Sequence, residues 1–451
     1  MMIEYAQRKT YKNDSSKKLI ALCMIIGALV LLGTNNPLFT AVGFIACALI
    51  CLKSSLAFSF SLLLFLLPMA TIFKFAPGQV SAFTIVQLIW VICAFFKTGM
   101  KATKVDVGII LFFIYLSICQ IFYGGFDISA TIKLSFGLLM LLMVKKMRIY
   151  DKYVSIFLAY IFGVIVSSLL MYIDSPLFNI LAYVSSKTER LAGSEDGSYI
   201  TRFAGLYGDP NYYSVNLIIA MILSLCLFKM RKVTLIQVIY LIAPLAFFAA
   251  QTGSKSAFFM LIIPILLFEY ISIKNRHYFL ACISIGLIGF GGWMLFQGEF
   301  NAFSVAIQRL TANHSNLNDI TTGRGAKWVE CLEYILDSPM IFLFGNSLLV
   351  VTLNGLAPHN TYIDMLFQLG VIGTVWMLWI FVKTWQNCAF KRSVLNYSLI
   401  IVISIMYFFL SELQYFDFLF HISLCLIVGH LNFSEKENKG VEFNEHKEFY
   451  T

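Results

Sequence analysis

The stretch LIIAMILSLCLF, Leu217 to Phe228, decides the fold class. It is apolar and lacks the period-two alternation of a transmembrane barrel strand. Backbone exposed to lipid must satisfy its own hydrogen bonds, and a run of this kind does so as a helix. Similar segments fall near residues 19–33, 38–52, 54–73, 82–96, 107–123, 131–144 and 153–173. They continue at 211–229, 233–250, 256–273, 278–297, 361–383, 394–411 and 416–431. A hydrocarbon core of roughly 30 Å asks for about 17–25 apolar residues per helix. The length criterion thus predicts an all-α polytopic membrane protein with about 14 transmembrane helices, roughly 12–14. The first two segments are short and can pair as a hairpin around Asn35-Asn36-Pro37.

Composition agrees. Of the 451 residues, 59% are hydrophobic and 13% charged, and the mean hydropathy is +0.80. A soluble chain carries roughly 25% charged residues, so a single water-soluble core is excluded. The loops sort by charge. One set holds the N-terminal basic cluster, Lys53, Lys97, Lys145, Lys146, Lys229, Lys274, Lys383 and their neighbours. The other holds only Lys74, Lys133, Lys187, Arg190, Arg202, Lys255, Arg309, Arg324 and Lys327. Under the positive-inside rule both termini are cytoplasmic and the long polar loops, 174–211 and 298–360, lie outside. The expected organisation is a cytoplasmic tail (1–18), a membrane domain (19–431) and a second cytoplasmic, disordered tail (432–451). The net charge of +9 is then a topology signal. No basic domain is clustered enough to bind nucleic acid. Leu31-Leu32-Gly33-Thr34 is a poor cleavage site, so no removable signal peptide is expected. Cys331 alone falls in an outside loop, and no external disulfide is expected within one chain.

Four polar positions carry chemistry. In the first, Arg202 precedes Gly205, Gly208, Asp209, Pro210 and Asn211, with Asp209 a helix N-cap before Pro210. An open helix N-terminus with an arginine fork nearby suits phosphate oxygens, whereas a capped helix with a solvated arginine is the plainer alternative. The second is a tight turn, Gln251 to Ser256, with Lys255 as its only charge; it reads as a phosphate ligand or a snorkelling lysine. In the third, Thr321 or Thr322 caps a helix that begins near Arg324 and Lys327 and stops at Ser338-Pro339. Its apolar stripe is Trp328, Leu332, Ile335 and Leu336. Cations in a first turn oppose the helix dipole by roughly 0.3–1 kcal/mol each, a cost that a docked anion offsets. The fourth is Pro358-His359-Asn360-Thr361-Tyr362, where the loop returns to the membrane. His359 there is a general base, a hydrogen-bonding group or a plain interfacial histidine. Asp364, Glu412 and Asp417 stand near the outer ends of segments, where ionisable groups mark sites or form structural polar pairs. No H-E-x-x-H, Cys/His metal set, Walker loop or dinucleotide fingerprint is present, so neither metal nor other cofactor is expected.

In order, these give Arg202-x-x-Gly205 with Asp209-Pro210-Asn211, then Thr252 to Ser256, then Thr322-Gly323-Arg324 with Trp328. Gly345-Asn346 and His359-Asn360-x-Tyr362 with Gly370 and Gly373 follow. The ordered set, from Thr201 to Gly373, resembles the superfamily of O-antigen polymerases (Wzy-type) and O-antigen ligases. Those are bacterial inner-membrane glycosyltransferases acting on undecaprenyl-diphosphate-linked oligosaccharides. The resemblance implies catalytic roles for His359, Arg324 and Arg202, with the arginines on the carrier diphosphate. It implies substrate contacts from Lys255, Lys327, Asn211, Asn360, Tyr362, Trp328 and Asp364. The implied function is polymerisation of carrier-linked repeat units on the periplasmic face, and the alternative is ligation of the chain to lipid A–core. The implied partners are the lipid-linked oligosaccharide, the bilayer, a chain-length regulator and a flippase. Two departures stand out. Lys255 replaces a common arginine and loses the bidentate fork. Gln368 replaces a common glutamate and cannot be a base; Asp364, one turn away, is the expected substitute. From another class, a transporter or flippase of a lipid-linked saccharide would place its charges along the midplane. The outside placement of the arginines favours the enzyme.

Overall fold

Pro68 shows how this sequence sets its element lengths. The helix Leu56–Leu66 runs into a tight 3-10 turn, Leu67–Met69, at that proline, so one long apolar run yields a short helix. The computed structural model describes residues 2–98, 103–122, 128–146, 149–173, 178–184, 188–192, 199–274, 278, 324–348, 358–385, 393–410 and 416–431. The helices of the first half are α1 (Met2–Gly33), α2 (Pro37–Lys53), α3 (Leu56–Leu66), α4 (Ala82–Thr98), α5 (Lys104–Phe122), α6 (Ile128–Lys146) and α7 (Tyr153–Ile173). The strands β1 (Thr188–Ala192) and β2 (Tyr199–Phe203) follow, then α8 (Pro210–Lys229), α9 (Leu235–Gln251) and α10 (Lys255–Lys274). The rest are α11 (Arg324–Asp337), α12 (Pro339–Phe344), α13 (Thr361–Trp385), α14 (Val394–Phe408) and α15 (Phe416–His430).

Helix ends follow local chemistry. The Asn36 side chain accepts from Leu38 N and Pro37 fills the first position of α2. Thr234 and Gln237 form a capping box at α9. Ser338 caps α12 ahead of Pro339, where the helix from Arg324 was expected to stop. The expected caps Thr321 and Thr322 lie outside the described residues.

The chain is helical, with the apolar helices that a membrane protein requires. Among the described residues five of them, α5, α7, α8, α10 and α13, are long and apolar enough to cross a membrane. Seven further apolar helices among the described residues have 10–17 residues. A 15-residue helix reaches only about 22 Å, short of the roughly 30 Å hydrocarbon thickness. The expected count of about fourteen full-length spans is therefore not reproduced. Prolines and caps shorten several segments, and the expected span at 278–297 lies, except for residue 278, outside the described residues. The all-α expectation has one exception among the described residues. β1 and β2 pair antiparallel, with Thr188 opposite Phe203 and Ala192 opposite Tyr199, inside the polar loop that precedes α8.

α8 is the axis of the packing. It is enclosed by α7, α9, α10 and α14, and 89% of its apolar window is buried. Polar side chains inside this core bond one another. Tyr160 donates to Asn216 Oδ1 at 2.8 Å, and His421 lies 2.9 Å from Tyr160 Oη and 2.6 Å from Tyr407 Oη.

The two ends of the helices differ. At one end lysines cover helix C-termini. Lys97 donates to Cys51 O and Ser54 O at 3.0 and 2.8 Å, Lys145 donates to Lys383 O at 2.8 Å, and Lys146 pairs with Asp106. These cations meet the negative ends of helix dipoles. The other end gathers loops distant in sequence. Thr71 bonds Leu206 O, Asn179 N bonds Asn35, Arg202 bonds Thr252 O, and Thr361 bonds Leu410 O.

α13 is bent at Gly370, whose φ of +64° and ψ of −178° interrupt the helix. A Cβ on Gly370 would fall 2.4 Å from Gly345 N, and one on Gly345 would fall 2.3 Å from Gln368 O. The two glycines therefore let the end of α12 lie directly on the bend. The carbonyls freed there find new donors. Asn346 N bonds Phe367 O at 2.7 Å and Tyr115 Oη bonds Leu369 O at 2.8 Å.

Candidate functional site

Asp209 is the hinge between two polar clusters. Its carboxylate caps α8 through Oδ1, which accepts from Asn211 N at 2.7 Å and Tyr212 N at 3.4 Å. The cap was expected; an open anion site at this helix end was not compatible with it. The first amides of α8 are turned to a carboxylate of the chain itself, and its negative charge opposes an incoming phosphate there.

The first cluster closes on Arg202. That residue is only 4% exposed, so it is not the water-facing fork of the simplest reading. Its Nε donates to Thr252 O at 2.8 Å, and an Nη donates to Asn211 Oδ1 at 3.0 Å. The same Asn211 oxygen accepts from Ser254 Oγ at 2.8 Å. One guanidinium thus joins β2, the start of α8 and the α9–α10 turn. Gly253 makes that turn at φ +54°, and Lys255 is the first residue of α10, half-buried.

The second cluster surrounds His359. Arg324 opens α11 and donates from Nη1 to Phe409 O at 2.7 Å. Trp328, one turn on, donates to Pro358 O at 2.7 Å and stands edge-on to Phe408, with centroids 5.2 Å apart. Asn360 caps α13, its Oδ1 accepting from Tyr362 N at 3.0 Å and Ile363 N at 3.2 Å. Tyr362 donates to Ser404 O at 3.1 Å. His359, between Pro358 and this cap, has φ +50°, a left-handed conformation uncommon for a residue with a side chain. Partial burial, then the cations of Arg324 and Lys327, hold its imidazole below the ordinary 6.5, and Asp209 works in the opposite direction. His359 is therefore neutral at neutral pH and feels Arg324, Lys327 and Asp209 together. Asp209 belongs to the start of α8, the same segment that Arg202 holds through Asn211.

Burial bears on two expectations here. Asp364 is 1% exposed and lies behind α11, where its charge reaches Cys331. Burial first, then Asp364 and Glu330, push that thiol up to about 12. Asp364 is therefore enclosed on the side of α13 that faces α11, and Gln368 is buried beside the Gly370 bend. The apolar stripe of α11 also differs. Cys331 and Ile335 pack on Phe367, whereas Leu332 and Leu336 are exposed, Leu336 at 67%. Cys331 behaves as a small apolar residue and takes the place predicted for the leucines.

Asp209 also lines a cavity of about 440 Å³. Lys74 enters it from the loop after Met69, Lys133 from α6, Asp417 from the first turn of α15, and Tyr207 and Tyr212 from either side of Asp209. The volume falls in the range of roughly 300–1,000 Å³ common for small-molecule sites. Sequence reasoning saw these lysines only as a topology signal and Asp417 only as a charged residue near a segment end. The available signal was their number, since outer-face cations are few and four segments carried charge to one end.

No family model matches this chain, and no curated protein is similar to it.

Proposed function

We propose that this chain is a membrane glycosyltransferase that polymerises undecaprenyl-diphosphate-linked oligosaccharide units into a surface polysaccharide, with its site on the periplasmic side. In this reading the chain crosses the inner membrane about fourteen times, and the lysine-capped ends and both termini face the cytoplasm. The observation that carries the proposal is the grouping of neutral His359 with Arg324 and Lys327, next to the Asp209 cap and its cavity. It supports one reaction type. The donor sugar is already activated by its diphosphate, so no nucleotide is required. An acceptor hydroxyl oxygen attacks the anomeric carbon and the bond from that carbon to the diphosphate oxygen breaks. The leaving diphosphate keeps the electron pair, and its growing charge is met by Arg324 and Lys327. The hydroxyl proton passes to the neutral imidazole of His359. Arg202 holds the facing turns in register with this group. A flippase reading would favour ionisable groups along a transport path. Here Arg202, Arg324 and Lys327 stand together at one end of the helices and the capping lysines at the other.

The test is glycolipid analysis in a strain lacking the gene, complemented with wild type or Arg324→Ala. Loss of long chains with a single repeat left on the lipid acceptor, unchanged protein level and no rescue by Arg324→Ala is the expected result. Long chains stranded on the carrier would instead indicate a ligase. Normal chains with Arg324→Ala would remove Arg324 from the site.

A further inference from the structure

Two helices act as rulers for the depth of α12. Both α13 and α5 are long and apolar enough to cross a membrane. At about 1.5 Å per residue α13 spans roughly 37 Å, about 7 Å more than the roughly 30 Å hydrocarbon thickness. With that excess shared between its ends, Gly370, about 13 Å from Thr361, lies about 10 Å inside the hydrocarbon boundary. Gly345, which ends α12, is packed directly on Gly370. The second ruler is α5, in which Tyr115 stands about 10 Å before the end at Phe122. Tyr115 Oη donates to Phe344 O at 3.3 Å as well as to Leu369 O. Lys145 on Lys383 O and Lys146 on Asp106 set the end of α13 and the start of α5 at one face, so both depths are counted from the opposite face. The two rulers agree.

The residues suit that depth. The sequence of α12, Pro-Met-Ile-Phe-Leu-Phe, carries no charge, yet Met340, Phe342 and Leu343 are exposed, Met340 at 57%. Its last backbone groups are closed by protein, as backbone in hydrocarbon must be. Gly345 N donates to Ile341 O at 2.8 Å and Asn346 N to Phe367 O at 2.7 Å. Phe367 stands nearer the start of α13 than Gly370 does, so the chain turns back after Gly345. Helix α11 has three faces. Cys331 and Ile335 pack on Phe367. Val329, Leu332 and Leu336 share a second face at helical spacing, and all three are exposed. Glu330, Glu333 and Asp337 share the third, on the side away from Cys331 and Ile335. An exposed apolar stripe beside a charged one is the pattern of a helix lying in a headgroup interface.

We propose that α11 and α12 form a re-entrant membrane element whose partner is lipid. α11 lies in the headgroup interface with its acidic face to water, and α12 dips into the acyl chains of the same leaflet. The proposal needs only that α5 and α13 cross the membrane, and it goes beyond the transfer reaction. Its consequence for the site is height. Arg324 and Lys327 belong to the first turn of α11, so an anchored α11 holds both cations at the level of lipid phosphates.

The test introduces photoreactive benzoylphenylalanine in place of Leu336, Phe342 or Glu333 in the full-length chain, held in phosphatidylcholine nanodiscs. Each protein is melted, illuminated and searched for adducts by mass spectrometry. Acyl-chain adducts are expected from positions 336 and 342 and are expected to be lost at 333. Phe342→Arg and Glu333→Arg give a second measurement without the probe. A charge at acyl depth is expected to lower the amount of protein in the membrane, and the same charge on the water-facing stripe to leave it at the wild-type level. Absence of lipid adducts at 336 or 342 in protein that melts like wild type would overturn the proposal. So would an equal yield at 333, crosslinks from 342 to a second copy of the chain, or equal membrane levels of the two arginine variants. No turnover is measured, so these results and the Arg324 test fail or succeed separately.

Discussion

Arg202 and Arg324 are the same residue type at the same end of the helices, yet they do different work. Arg202 is enclosed, and its guanidinium ties the α9–α10 turn to the start of α8. Arg324 is half-buried at the first position of α11, where it holds Phe409 O and its charge acts on His359. A buried arginine that holds backbone and side-chain acceptors from separate segments is a structural clasp, because removing it takes away their donor. A cation at a helix start, next to a neutral histidine, is placed against its own helix dipole, and in the proposed reading an anion offsets that cost. The comparison separates positioning from chemistry, and each side of it can be broken by experiment.

The largest effect is expected at the clasp. Arg202→Ala removes the guanidinium donor from Thr252 O and leaves Asn211 Oδ1 with Ser254 alone, at a cost on the order of 3 kcal/mol. The measurable outcome is a lower melting temperature in detergent and less protein in the membrane. Arg324→Ala should lose turnover at normal level and normal melting. A variant pair with the opposite pattern would exchange the two roles. A smaller effect is expected from Trp328→Phe, which keeps the ring against Phe408 but loses the bond to Pro358 O. The loss is about 1 kcal/mol in stability. Because Pro358 immediately precedes His359, turnover should fall several-fold while binding of the carrier changes little. Kinetics at saturating and limiting donor would show whether binding is affected instead.

These contrasts explain which parts of the molecule are legible in the chain. Short-range chemistry is written locally, so Asp209 before Pro210, Ser338 before Pro339 and the turn around Gly253 stand where the sequence puts them. Gly345 and Gly370 were visible only as members of the ordered motif set. Their reason, a backbone crossing that no Cβ would allow, lies in contacts between segments. The same limit applies to Arg202 and Asp364. Their types suggested phosphate and proton chemistry, but Thr252 and Asn211 enclose the first and α11 covers the second. Helix lengths were over-read for a related cause. Apolar composition continues through Pro68 although the helix does not. The cavity was hardest to see, because Lys74, Lys133, Asp209 and Asp417 belong to four separate segments.

The smallest effect is a displacement along the pH axis. His359 loses its proton below 6.5 because partial burial, then Arg324 and Lys327, disfavour the imidazolium. A folded-state value below the unfolded one means that the native chain holds fewer protons between the two. This contribution is present above 6.5 and is lost as pH falls through that window. If neutral His359 accepts the hydroxyl proton, turnover should show an acid limb below the ordinary histidine value. Replacing Arg324 by glutamine removes one of the two cations and should move that limb, and the imidazole titration read by NMR, upward. Replacement by lysine keeps the charge and should leave both near the wild-type position. An imidazole that titrates identically in all three proteins would mean that Arg324 does not act on His359. Arg324 would then be a clasp like Arg202, bonded to Phe409 O, and the distinction between the two arginines would disappear.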